Sequence, residues 1–227
     1  MDTIQGFLLK VALLAPPILL ALTVHEAAHA FVANKRGDPT ARLMGRMTLN
    51  PLKHLDPLGT LAFFVTALAG SGIGWAKPVP VDYRNLRNPL QDGMLISAAG
   101  PASNILLAVL LALLFNGLVR VGLFSAEHWG YTLEYVVYFL NSAVILNLTL
   151  ALFNLIPLPP LDGSGILTGL LSPQAAYKYQ QISRYGFLII LAMIFLPGWI
   201  PGFPNVIRWV VVEPAYWFAG LLLPWLG

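Results

Sequence analysis

Two histidines and a glutamate, in the order His25-Glu26-Ala27-Ala28-His29, lie inside an apolar run that extends from Phe7 to Ala33. An ionisable group at the centre of a membrane-length helix costs about 2.5 kcal/mol or more, so three of them demand partners or a ligand. On a helix, positions i and i+4 lie about 40° apart around the axis, which puts His25 and His29 on one face, one turn apart. That pair can grip a metal ion from one side. Glu26 sits next to the same face, within reach of whatever the ion holds.

This is the H-E-x-x-H arrangement, in which the carboxylate takes a proton from a water activated by zinc. The setting is a bilayer: the chain is 57% hydrophobic and 10% charged, and several of its uncharged runs are long enough to cross. There is no cysteine, so any zinc is held by His, Asp or Glu, and disulfides are excluded. No basic cluster interleaved with aromatics points to nucleic acid. The N-terminal run is expected as a retained span rather than a leader, because cleavage after it would remove the motif.

Along the chain, the first span covers about 7–33 and should kink at Pro16-Pro17. Residues 40–56 are polar, and a loose alternation from Ala41 to Leu49 predicts a short amphipathic strand pair at the membrane surface. The apolar stretch 58–73 would reach only about 24 Å as a helix, short of the roughly 30 Å core, and predicts a re-entrant segment. In Pro78-Val79-Pro80-Val81 the prolines exclude a helix and predict an extended segment. It reads equally as a connector or as an edge on which an extended peptide pairs, with Pro78, Val79, Pro80 and Val81 as substrate contacts. Residues 93–119 form the second span. Within it Asn104, one turn beyond Gly100, is expected to bond backbone or a neighbouring helix rather than substrate. A third span covers about 135–156, and apolar segments at 185–196 and 207–223 are two more.

Loops 34–57, 75–92 and 172–184 fall on one face and hold ten of the thirteen Lys and Arg residues, which marks that face as cytoplasmic. Three prolines in four residues, at 157, 159 and 160, break the third span just before Asp162-Gly163. Unwound backbone at membrane depth must line a cavity or be buried in protein, so a site is expected there. Two histidines leave zinc one protein ligand short of an open catalytic site. Asp162 is the acid at a span's end on the correct side; His54, in the basic segment and expected to be solvated, is the rival.

Together, His25-Glu26-Ala27-Ala28-His29, Gly100-Pro101-Ala102-Ser103-Asn104, and Asn154 through Pro157 to Asp162-Gly163 resemble the three signatures of the site-2 protease family of intramembrane zinc metalloproteases. The resemblance covers about 6–170 and is to a compact bacterial or archaeal type without a PDZ or nucleotide-sensing domain. It implies a three-helix catalytic core, one zinc per chain on His25, His29 and Asp162, Glu26 as base, and Asn154 at the family's asparagine position, bonding the oxyanion or the substrate backbone. The expected fold is an all-α polytopic membrane protein, a single membrane-embedded protease domain over 1–227. It comprises the catalytic core, two further spans over 185–227, the re-entrant segment and small extended or β segments at the cytoplasmic side. The expected substrate is a transmembrane protein cut within or near a span, in a cell's inner or plasma membrane with the site toward the cytoplasm. A divalent-metal transporter and a zinc-dependent hydrolase of a lipid-like substrate are the other readings of the same residues.

Overall fold

A computed structural model describes residues 3–68, 74–122 and 131–223. Helix α1, Thr3–Arg36, carries the His/Glu motif, and its helical assignment runs through Pro16-Pro17. It stops at Gly37, whose φ of +117° is open to glycine, with Asp38 N–H donating to Ala33 O at 3.0 Å, six residues bridged in a Schellman ending. Helix α2, Thr40–Leu43, follows at once.

The strand pair expected over 41–49 is absent, and the cause is local. The Asp38 carboxylate accepts from both the backbone N–H and the hydroxyl of Thr40, which seeds a helical turn. Gly45 then closes it at φ +66°, and Arg46 N–H bonds Ala41 O at 2.8 Å. Among the described residues the β structure reduces to one antiparallel bridge, Leu55 to Ala76.

That bridge decides the path of the short apolar stretch. Helix α3, Pro57–Leu68, lies between the two bridged residues, and Lys77 N–H also donates to His54 O at 2.8 Å. The chain therefore leaves and returns at one level, as a re-entrant segment must; its expected end at 69–73 lies outside the described residues. Leu58, Leu61, Phe64 and Val65 stay exposed on α3, an apolar surface suited to lipid.

Helix α4, Pro89–Arg120, starts with Pro at its first position, where a missing N–H costs nothing, and its Asp92 carboxylate accepts Asn88 N–H at 2.8 Å. Helix α5 is Tyr131–Asn154. Three helical stretches, Val11–Arg36, Pro89–Arg120 and Glu134–Asn154, are long and apolar enough to cross a membrane, and the chain is an integral membrane protein. Beyond them come α6, Asp162–Leu170, α7, Pro173–Gln180, α8, Ser183–Trp199, and α9, Glu213–Leu222, which is entered through a π turn at Arg208–Val212. Helices α7 and α8 meet at 57° and are long and apolar enough to cross a membrane only together, as a bent pair.

The core is built on small residues. Ala108, Ala112 and Phe115 of α4 meet Leu140, Val144 and Leu148 of α5 and Ala215 and Ala219 of α9. Lipid tails are as apolar as leucine, so close backbone approach at alanine, giving dispersion contact, is what favours this packing. Asn116 adds a tie, donating to Leu222 O at 2.8 Å. Helix α6 is drawn against α4 by glycine: a Cβ on Gly165 would lie 2.1 Å from Ser97 Oγ, and one on Gly169 would lie 2.4 Å from Met94 Cβ. This contact carries Asp162, at the first turn of α6, to the α1–α4 seam.

Candidate metal centre

His25 and His29 emerge one turn apart on α1, and the groups behind each ring decide which nitrogen faces the site. His25 Nδ1 lies 2.6 Å from Asn104 Oδ1, and Asn104 Nδ2 donates to Ala21 O at 3.0 Å and Asn147 Oδ1 at 2.8 Å. With both amide donors committed, Oδ1 is an acceptor and His25 Nδ1 carries the proton. His29 Nδ1 likewise donates to Ile96 O at 2.7 Å. Each Nε2 is then left with a bare lone pair.

Those lone pairs converge with a carboxylate. His25 Nε2 and His29 Nε2 are 3.1 Å apart, and Asp162 Oδ2 stands 3.1 Å from the first and 3.3 Å from the second. Asp162 Oδ2 is buried and has no hydrogen-bond partner despite that proximity, since neither imidazole directs an N–H at it. Three Lewis bases so close repel one another unless a cation lies between them. Tetrahedral ligands about 2.0–2.1 Å from one zinc ion are separated by about 3.3 Å, so this donor set fits zinc. His25, His29 and Asp162 form the one candidate metal cluster among the described residues.

The backbone of α4 closes one side of this cluster. A Cβ on Gly100 would fall 2.5 Å from His25 Cε1 and from His29 Nε2, and 2.7 Å from His25 Nε2. Only glycine leaves that space open.

A cavity of about 440 Å³ faces the donors, lined among others by Glu26, Pro78, Val79, Val81, Tyr83, Ser97 and Asn154. Glu26 Oε2 accepts the Val79 backbone N–H at 3.1 Å, which joins the extended segment to the motif helix. Asn154 Nδ2 donates to Leu150 O at 3.0 Å, within its own helix. Of the four residues of the extended segment singled out from sequence, Pro78, Val79 and Val81 line the cavity and Pro80 does not.

His54 is away from the cluster and is not solvated. It is 2% exposed, with Nε2 bonded to Thr48 O at 2.8 Å. The polar composition of 40–56 suggested exposure, but the Leu55–Ala76 bridge folds the returning chain over it. Asn104 bonds a helix as expected, yet also holds the His25 ring of the candidate metal cluster. That second role was not read from the sequence; the nearest signal was a polar residue one turn from Gly100 in an apolar span.

The protein family model described as peptidase family M50 matches residues 13–196. YwhC of Bacillus subtilis (strain 168), provisionally named a zinc metalloprotease, is 42% identical over 79% of this chain and 78% of its own length. Rip2 of Mycolicibacterium smegmatis, provisionally named in the same way, is 33% identical over 88% of this chain and 70% of its own. Rip2 of Mycobacterium tuberculosis (strain H37Rv) is 29% identical over 85% and 70%. No solved structure matches the chain significantly.

Proposed function

The chain belongs to peptidase family M50, the site-2 proteases, and from that membership we propose that this zinc metalloendopeptidase cuts a transmembrane protein within or near a span, using Glu26 as general base. The observation that carries the reading is the convergence of His25 Nε2, His29 Nε2 and Asp162 Oδ2 within about 3.3 Å, with Glu26 lining the same cavity. Zinc held by these three side chains supplies Lewis acidity toward water and toward the scissile carbonyl.

The residues do the rest. Glu26 removes the proton of the attacking water and returns it to the leaving amine. Its carboxylate is oriented for this by Val79 N–H, which occupies one oxygen. A substrate helix hides its carbonyls in i to i+4 bonds and must be unwound before attack, so an extended surface beside the base is needed. Residues 78–81 suit that task. Among the described residues, the carbonyls of Pro78, Val79 and Pro80 have no hydrogen-bond partner, so this edge offers acceptors to an incoming backbone. Asn154 reaches the cavity from α5 and fixes the substrate backbone there.

A single membrane-embedded protease domain over 1–227, with its core over 6–170, accommodates all these parts. The concentration of Lys and Arg in the loops on one face supports a site facing the cytoplasm, in an inner or plasma membrane. Glu26→Gln tests the reading: zinc content is retained and cleavage is lost. In membranes from cells carrying the intact chain or the Glu26→Gln chain, fragments cut inside or near a span should appear only with the former. Proteolysis by purified Glu26→Gln protein would sink the mechanism.

A further inference from the structure

The proposed hydrolysis turns a carbonyl into an oxyanion, and the cavity's supply of hydrogen-bond donors is short. Glu26 and Asp162 accept only, and both imidazoles spend their N–H groups on Asn104 and Ile96. Ser164 donates to Leu161 O at 2.7 Å, and Asn154 spends one of its two N–H donors on Leu150 O, which leaves the other for the substrate backbone. Val79 N–H is held by Glu26. Two hydroxyls remain in the cavity wall with no partner among the described residues, those of Tyr83 and Ser97.

Their settings differ. Ser97 Oγ is pressed against the α6 backbone, at 2.1 Å from where a Gly165 Cβ would lie, so helix packing accounts for its place. Tyr83 is mounted as a projecting group. It opens the 3-10 turn Tyr83–Asn85, and that turn is anchored to the end of α1: Asp38 accepts Asp82 N–H at 2.8 Å and Asn85 Nδ2 at 2.9 Å. Its ring lies against α4 at Gly93, where a Cβ would come 2.8 Å from Tyr83 Cε1, so any larger residue would push the ring aside.

We propose that Tyr83 is a catalytic residue, its phenol O–H donating a hydrogen bond to the oxyanion that forms on the scissile carbonyl. The inference rests on the metalloprotease reading above. Half of the residue is exposed, 50%, and burial of the rest pushes the phenol's pKa up, so the hydroxyl stays protonated. In the step, the water oxygen bonds the carbonyl carbon, its proton passes to Glu26, and the carbonyl π pair moves onto oxygen. When the C–N bond breaks, that proton goes to the amine. Tyr83 keeps its own proton throughout and contributes by donating a hydrogen bond as charge develops.

The test compares Tyr83→Phe, Ser97→Ala and Glu26→Gln in the full-length, zinc-loaded protein in detergent, with a quenched fluorescent peptide library as substrate. Tyr83→Phe keeps the ring on Gly93 and should lower kcat about 10²- to 10³-fold with KM little changed, as loss of one oxyanion donor does. Zinc content and melting temperature should match the unmutated chain. A second readout needs no turnover: an N-phosphoryl dipeptide, tetrahedral and anionic, should bind about 10- to 100-fold more weakly to Tyr83→Phe. A dipeptide hydroxamate, planar at its metal-binding group, should bind both proteins alike. Unchanged kcat in Tyr83→Phe, a loss carried by Ser97→Ala instead, or a loss that comes with depleted zinc would each overturn the assignment. Cleavage by Glu26→Gln would bring down the underlying reading; a dead Glu26→Gln beside a fully active Tyr83→Phe brings down the Tyr83 inference alone.

Discussion

Asn104 Oδ1 on α4 lies 2.6 Å from His25 Nδ1 on α1, and both residues are buried. The asparagine is wholly buried, and its amide donors are spent on Ala21 O and Asn147 Oδ1, so it can present only its oxygen to the ring. It thereby selects the tautomer in which His25 Nε2 is free to bind metal. Asn104→Leu keeps the volume roughly and removes the acceptor. Zinc affinity should fall about 10- to 100-fold, the usual effect of losing a group behind a ligand. Competition with a chelator measures it, and equal zinc retention in the two proteins would show that the amide does not tune the ring.

Gly100 makes a sharper demand. A methyl group there would lie 2.5 Å from both imidazoles, and the rings cannot retreat without breaking their bonds to Asn104 and Ile96. Alanine is nevertheless the better helix former by about 1 kcal/mol. That gain does not offset the clash with two buried, hydrogen-bonded rings, so Gly100→Ala should lower the melting temperature of the zinc-free protein and cut activity about 10²-fold or more, the cost of a misplacement near 1 Å. Activity near the level of the unmutated chain would mean that the α1–α4 seam is looser than its geometry.

What could be read from the chain alone follows the range of each interaction. The His25/Glu26/His29 face is set by helical periodicity within five residues, and the unwinding before Asp162 by three prolines. Asp162 was reached through side and depth, because a mostly basic set of loops orients the spans. The misreadings lie where a side chain acts out of register with its own segment. Residues 41–49 alternate loosely in polarity, but Asp38 capping Thr40 outweighs that pattern. His54 sits among polar neighbours and is buried by a bridge to a residue more than twenty positions away. Asn104 and Tyr83 act through partners on other elements, Asn104 on α1 and α5 and Tyr83 on α4, and no local pattern marks such a role.

Val79 offers a direct probe of the base. Pro78 and Pro80 have no amide N–H, so the N–H of Val79 stands alone between them, and it donates to Glu26 Oε2 at 3.1 Å. A hydrogen bond to a charged group is worth about 1.5–3 kcal/mol, so Glu26→Ala should speed hydrogen exchange at Val79 about 10-fold or more. Amide exchange read by mass spectrometry on peptides spanning 75–82 would register it. Exchange at the same rate in both proteins would mean that Glu26 does not hold the extended segment.

Asp38 ties the end of α1 to the turn that carries Tyr83, and it does so through a charge. Burial, the largest influence on its carboxyl, raises the pKa, but bonds from the Thr40 hydroxyl, Asn85, and the backbone N–H groups of Asp82 and Thr40 outweigh it, and the folded value lies below the ordinary one. A carboxylate depressed by folding adds stability that is complete above its unfolded pKa of about 3.9 and is lost as pH falls through the lower folded value. Asp38→Asn cannot supply two acceptor oxygens and should melt earlier at pH 7, by the equivalent of about 1–3 kcal/mol. The gap between the two proteins should hold down to about pH 4 and shrink below it, since only the unmutated chain has this charge to lose. Melting curves in detergent from pH 7 to pH 3 give the comparison. Because the Asp82 and Asn85 bonds orient the Tyr83 turn, Asp38→Asn should also lower kcat in the direction of Tyr83→Phe, and adding Tyr83→Phe to it should cost less than Tyr83→Phe costs alone. Fully additive losses would separate the anchor from the phenol.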